Sequence, residues 1–137
     1  MINSRDLKDL LPRTAAKAGH FINECKIAGI DILITSTYRD AESQNALYAQ
    51  GRSKPGKIVT SVQGGYSFHN HRVAFDVVPI VNGKAVWDDL MLWTRVGAIG
   101  ALCDLEWGGY WQRWKDKPHF QDPAGYTIDD YIKGVAK

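Results

Sequence analysis

Cysteine is scarce in this chain. The only two, Cys25 and Cys103, stand far apart with no CxxC pair, which excludes a thiolate zinc cage and a disulfide framework and leaves both as expected core residues. An excess of one charge is also missing, because 17 Lys and Arg against 15 Asp and Glu leave a net +2; that is no footprint of a nucleic-acid binder. The longest nearly apolar run, Val96 to Cys103, is far short of the roughly 20 residues that span a bilayer. The opening Met-Ile-Asn-Ser-Arg-Asp-Leu-Lys-Asp-Leu holds no signal-peptide core, so synthesis in the cytoplasm without membrane insertion is expected. Repeats, low-complexity tracts and long linkers are absent. What is present is one core's worth of material: 137 residues, 45% hydrophobic, 11% aromatic and 23% charged. A single domain over 1–137 with no second module is expected.

Local signals then divide the chain. Ser4 to Leu10 reads as a short helical turn, and Pro12 suits the first position of a helix whose apolar face is Ala15, Ala18, Phe21, Ile22 and Cys25, closed by Gly29. Asp31 to Thr37 reads as a strand, and Asp40 caps a helix from Ala41 to Gln50. Gly51 to Gly65 reads as a long loop of the kind that borders sites. A buried strand over Val73 to Val81 turns at Asn82-Gly83 into a return strand, Lys84 to Trp87. Asp88 is positioned to cap a helix reaching about Asp104, with Leu90, Trp93, Ala98, Ala101 and Leu102 toward the core. Leu105 to Trp107 and His119 to Gln121 read as short strands around an aromatic loop, and Thr127 caps a terminal helix. Helices and strands mix without βαβ alternation, so the class is α+β.

The residues that carry chemistry cluster in two places. Ser67-Phe68-His69-Asn70-His71-Arg72-Val73-Ala74-Phe75-Asp76 pairs an imidazole with a carboxylate, and Asp116-Lys117-Pro118-His119 pairs a second. Two imidazoles and one carboxylate form the ligand set of a hydrolytic zinc site. A seven-residue step puts His69 and Asp76 on opposite faces of a regular strand, so a bend is required, and Asn70 to Arg72 is where polar residues interrupt the apolar pattern. Pro118 favours an extended Lys117 and places Asp116 and His119 at the entry of a strand. From there His119 could hold a metal while Asp116 reaches the attacking water. His71 shares parity with His69 as a lesser candidate, and His20 reads as a surface residue of the first helix.

The pattern Ser-x-His-x(6)-Asp followed downstream by Asp-x-x-His resembles the zinc signature of the LAS (M15) peptidoglycan peptidases, which include D-alanyl-D-alanine carboxypeptidases and phage L-alanyl-D-glutamate endopeptidases. Ser36-Thr37-Tyr38-Arg39 with Gln44 resembles the Ser-x-x-Arg-x(4)-Gln element of that family, and Trp107-Gly108-Gly109 precedes the second motif. The resemblance implies a small antiparallel sheet carrying a zinc site and flanked by helices, the hedgehog/DD-peptidase arrangement. It implies Zn²⁺ bound by His69, Asp76 and His119, Asp116 as general base, and Arg39, Gln44 and Ser67 in contact with substrate. This chain departs from the family pattern at Arg72, where Gly is common; if the position needs a positive φ, Arg must accept strain.

The function expected on that basis is a monomeric zinc endolysin that cuts the L-alanyl-D-glutamate bond of bacterial peptidoglycan and reaches the wall after release. A D-Ala-D-Ala carboxypeptidase of the same fold and a non-enzymatic zinc-stabilised binding module are the alternatives. Trp107, Tyr110, Trp111 and Trp114 read as a groove wall with at least two of the four packed. Arg52, Lys54 and Lys57 read as a solvated loop face or a contact to anionic wall polymer.

Overall fold

The computed structural model describes residues 1–136. Pro12 opens helix α1 (Pro12–Ile27), where a missing N–H costs no hydrogen bond, and the helix buries Ala18, Phe21 and Cys25. Gly29, at φ +82°, ends it. Strand β1 (Asp31–Ser36) follows, and then helix α2 (Ala41–Ala49), whose first turn is held by the Asp40 carboxylate accepting from the Ser43 N–H at 2.8 Å. Strand β2 (Ala74–Val81) turns through Asn82 and Gly83, at φ +52° and +76°, into strand β3 (Lys84–Ala85). Two consecutive positive φ values are the geometry that an Asn-Gly hairpin supplies without strain. The return strand is shorter than Lys84 to Trp87. Beyond it the Val86 N–H still donates to the Pro79 carbonyl at 2.9 Å, and the Trp87 carbonyl accepts from the Trp93 indole N–H at 2.9 Å.

Helix α3 (Leu90–Leu102) departs from the sequence expectation in cap and face. Asp89, not Asp88, caps it, accepting from the Leu92 N–H at 3.1 Å. Its buried side is Trp93, Val96, Gly97 and Gly100, whereas Leu90 and Leu102 are 64% and 87% exposed and Ala98 and Ala101 also face solvent. Trp93 lies inward as expected, and the rest of the inward face differs because glycine carries no hydrophobic signal. A Cβ at Gly97 would meet the Trp107 ring at 2.2 Å and one at Gly100 the Phe120 ring at 2.4 Å, so glycine here admits two aromatic rings against the helix backbone.

Strands β4 (Glu106–Trp107) and β5 (His119–Gln121) complete an antiparallel sheet in the order β1-β2-β5-β4, with β3 on β2, and helix α4 (Ile128–Ile132) follows a Thr127 capping box. Alternation along the paired strands gives the sheet two characters. Phe75 lies opposite Phe120, and Phe120 opposite Trp107; with Phe21 of α1 these rings make the core. Asp76 lies opposite His119 on the other face, and Ala74 opposite Gln121. A bulge in β1 lets Ser36 stand opposite Asp76 while Ile34 pairs with Val77. One face of the sheet is thus aromatic and dry, and the other carries Asp76, His119 and Gln121 where β2 meets β5.

Both cysteines are free and buried, and burial pushes the Cys25 thiol up to about 12. Among the described residues no helix is long and apolar enough to cross a membrane.

Just beyond β5, buried Asp122 ties the sheet to α1. Its carboxylate accepts from Thr14 Oγ1 at 3.1 Å and lies 2.7 Å from Lys17 Nζ and 3.3 Å from Arg13 Nε. Asp122→Asn removes the charge and leaves two cations that are each about 30% exposed and so can partly hydrate. A loss of about 1–3 kcal/mol is expected from urea unfolding midpoints.

Candidate active site

His69 reaches the polar face from a 3-10 turn, Phe68–His71, capped by Ser67, whose hydroxyl accepts from the His69 N–H at 3.2 Å. The turn leaves through Arg72 at φ +65°, so the bend required between His69 and Asp76 falls where the polar interruption put it. Arg72 does adopt the conformation that glycine would favour. Its guanidinium lies 3.8 Å over the Tyr38 ring and donates to the Asp9 carbonyl at 2.8 Å, contacts that a glycine could not make and that offset the strain.

Asp76 and His119 come from opposed positions of β2 and β5, and His69 arrives beside them. Asp76 Oδ1 is 3.2 Å from His69 Nε2 and 3.3 Å from His119 Nδ1, and one ligand atom from each of the three lies within 4.8 Å of the others. The remaining ring nitrogens are committed elsewhere. His69 Nδ1 is 2.8 Å from the Thr37 carbonyl, which can only accept, so this nitrogen carries the hydrogen. His119 Nε2 donates to Gln121 Oε1 at 2.7 Å. Both imidazoles are thereby held with a lone pair toward Asp76, the arrangement that metal-binding histidines acquire from outer partners. Two neutral imidazoles and a carboxylate converging in this way fit Zn²⁺.

The electrostatics favour a cation at this point. Burial alone would push the Asp76 carboxyl up, yet His69 and His119 outweigh it and hold it well below its ordinary range. Burial would lower the His119 imidazole, but the Asp76 carboxylate, with Asp116 adding to it, raises it instead.

Asp116 stands at the edge of the cluster, its Oδ2 4.0 Å from His119 Nδ1. Lys117 and Pro118 do not extend as the sequence suggested. They form a turn closed by the His119 N–H donating to the Asp116 carbonyl at 3.1 Å, at the entry of β5, where the pair is expected. Partial burial, the imidazoles' opposing pull notwithstanding, leaves the Asp116 carboxyl above its ordinary range.

Arg39 is buried beside Asp76, with Nη2 3.5 Å from Oδ2, Nη1 donating to Gln44 Oε1 at 2.8 Å and Nη2 to Ser36 Oγ at 3.1 Å. Its buried Nε has no hydrogen-bond partner, a donor to spare. Burial pulls the guanidinium below its ordinary value, with Asp76 and Asp116 drawing it back up. Gln44, fully buried, also donates to the Val62 carbonyl at 2.9 Å and so links Arg39 to the long loop.

These groups line one groove of about 490 Å³, walled by Val59 to Val62 on the long loop and by Trp111 and Trp114. The four aromatics divide: Trp107 is core and donates to the Lys117 carbonyl at 2.7 Å, Tyr110 packs edge-on against it, and Trp111 and Trp114 face the groove. Trp111 lies 5.2 Å from the His119 ring. His71 points elsewhere, 2.8 Å from the Gly65 carbonyl, and His20 is exposed beside Glu24. The sequence reading missed Gln121 and Thr37. Gln121 shares strand parity with His119, a usable signal; a backbone carbonyl such as that of Thr37 carries none.

Residues 60–122 match the M15 peptidase family model described as D-alanyl-D-alanine carboxypeptidase. That span holds His69, Asp76, Asp116 and His119, so the likeness to the M15 peptidases read from the motifs is borne out. Among individual proteins, the chain is 39% identical over 102 residues to the peptidoglycan L-alanyl-D-glutamate endopeptidase CwlK of Bacillus subtilis (strain 168), covering 68% of this chain and 61% of that one. It is 29% identical over 135 residues to the L-alanyl-D-glutamate peptidase of Listeria phage A118, covering 96% of this chain and 44% of that one. The chain thus spans about three fifths and under half of these two curated relatives. Its fold is similar to that of the Serratia marcescens L-Ala D-Glu endopeptidase ChiX, with a TM-score of 0.65, 21% identity and 96% and 92% of the two chains covered. It is also similar to the vancomycin resistance D,D-pentapeptidase VanY in complex with Zn(II), with a TM-score of 0.63, 11% identity and 90% and 83% covered. These likenesses establish an α+β M15-type fold.

Proposed function

We propose that this protein is a zinc peptidase that hydrolyses the L-alanyl-D-glutamate bond of bacterial peptidoglycan stem peptides, in the manner of a lytic endopeptidase. The observation that carries this reading is the convergence of His69 Nε2, His119 Nδ1 and Asp76 Oδ1 on one point of a groove floor, with Asp116 at its edge. The 39% identity to an L-alanyl-D-glutamate endopeptidase supports the choice of bond. A zinc ion held by these three residues would supply Lewis-acid polarisation and activation of water.

The chain's own groups do the rest. Asp116, raised above the ordinary carboxylate range, is the better base for it; it takes the proton from the attacking water and returns it to the leaving amine. Arg39, fixed by Gln44 and Ser36, presents guanidinium donors to a substrate carboxylate. Trp111 and Trp114 supply an aromatic wall of the groove. Ser67 contributes by holding the turn that carries His69. Arg39→Lys keeps the charge but loses the fork that meets Gln44 and Ser36 together, so KM should rise about tenfold with zinc content unchanged. An unchanged KM would make Arg39 structural.

The family description keeps a second reading in view, a D-alanyl-D-alanine carboxypeptidase. Mass spectrometry of digested peptidoglycan reports the cut bond directly. New amino-terminal D-glutamate supports the endopeptidase; release of D-alanine alone, abolished by blocking the stem's carboxyl terminus, supports the alternative.

A further inference from the structure

The charge of this chain is unevenly placed. Residues 51–66 and 110–118 contain six Lys and Arg against the single carboxylate of Asp116, a net +5, whereas the rest of the chain carries eleven cations against fourteen carboxylates, a net −3. These are the two segments that supply the groove walls at Val59 to Val62 and at Trp111, Trp114 and Asp116. Arg52, Lys54, Lys57, Arg113 and Lys115 are exposed, and no described carboxylate pairs with any of them. Arg52 instead lies over the Tyr48 ring and donates to the Tyr48 carbonyl. Two carboxylates next in the chain to other groove residues are already engaged: Asp40 caps α2 beside Arg39, and Asp122 beside Gln121 is held by Lys17 and Arg13.

We infer that the two basic walls form a docking surface for a carboxylate-bearing polymer, the peptidoglycan strand itself, extending capture well beyond the stem peptide in the groove. The proposal rests on the peptidase reading above for the identity of the polymer. The physical reason is additive. Each exposed cation contributes little alone, and none of the five lines the groove itself, but cations gathered on the segments that wall a groove raise the local concentration of a polyanion and its rate of encounter, an effect screened by salt. Arg39 lines the same groove, so a polymer held there meets its guanidinium as well as the cations on the two wall segments; because such forks take carboxylates and phosphates alike, the choice of carboxylates follows from the peptidase reading.

The test is co-sedimentation of the zinc-loaded full chain with purified peptidoglycan stripped of phosphate polymers, in an Asp116→Asn background so that the wall is not digested. The comparison is with the same chain carrying Lys54→Gln, Lys57→Gln, Arg113→Gln and Lys115→Gln. Affinity of the parent should fall about tenfold or more between 20 and about 300 mM salt. The fourfold variant should bind about tenfold more weakly at low salt and show little salt dependence, while the matching Lys↔Arg swaps at the same four positions restore both. Equal binding by parent and fourfold variant overturns the proposal, as does tighter binding of duplex DNA than of peptidoglycan. Because sedimentation reads no hydrolysis, salt-dependent binding without bond cleavage in the wild-type chain would sink only the peptidase reading. Cleavage without salt-dependent binding would sink only this one.

Discussion

Asp116→Asn is expected to fold, to retain one zinc per chain and to lose about 10²–10⁴-fold in turnover. The carboxylate is half-exposed at the groove and its Oδ2 is 4.0 Å from His119 Nδ1, too far to support the fold through that contact. The local backbone is secured without it, since the Asp116 N–H donates to the Gly108 carbonyl at 3.0 Å and the Asp116 carbonyl accepts from His119. A Cβ at Gly108 would meet that Asp116 carbonyl at 2.3 Å, so the turn also depends on a glycine beneath it. Asparagine preserves all of this but cannot take a proton. The pH profile gives a second check. A carboxyl raised in the folded protein becomes protonated, and so ceases to act as a base, at a higher pH than an ordinary aspartate, and the acid limb of the parent's profile should sit correspondingly high. In Asp116→Asn that limb should vanish. A variant retaining most activity would mean that another residue is the base.

The sequence made some of this legible and hid some, for reasons that separate cleanly. Pro12, Gly29, Asp40, Asn82-Gly83 and Thr127 marked element ends correctly because each acts through its own backbone or a neighbouring N–H, and tertiary packing has little to override. Helix α3 was misjudged because its contact face is built on Gly97 and Gly100, residues that are buried for what they lack. The bend before β2 was legible from a parity conflict, although the left-handed Arg72 that makes it, and the Tyr38 ring that supports it, were not. At the site, spacing singles out four residues: the sheet register brings Asp76 and His119 together, and two turns bring His69 and Asp116 beside them. What spacing cannot give is the second layer. Thr37 contributes a carbonyl oxygen, and although spacing singles out Gln44 after Arg39, it does not show that its buried amide holds Arg39 on one side and the Val62 carbonyl of the loop on the other.

Replacing His69 or His119 by Ala, or Asp76 by Asn, should remove the metal outright and cut activity by about 10³-fold or more, since the metal's share of transition-state stabilisation is several kcal/mol. His71→Ala should keep both. The two histidines share parity in sequence, yet His69 Nε2 lies 3.2 Å from Asp76 while His71 Nε2 is engaged with the Gly65 carbonyl and its ring packs near Tyr131. Asp76→Asn matters for a further reason: the carboxylate is the negative charge nearest to both imidazoles, and a neutral amide neither balances a divalent cation nor binds it well. Stability supplies a readout independent of activity. A ligand that binds only the folded chain stabilises it by about 4 kcal/mol at a thousandfold excess over its Kd, so zinc should raise the Tm of the parent and of His71→Ala but not that of the three ligand variants. Metal content by mass spectrometry and Tm with and without chelator measure both. Loss of zinc from His71→Ala equal to that from His69→Ala would place the wrong imidazole at the centre, and a parent fully active in strong chelator would remove the metal from the chemistry altogether.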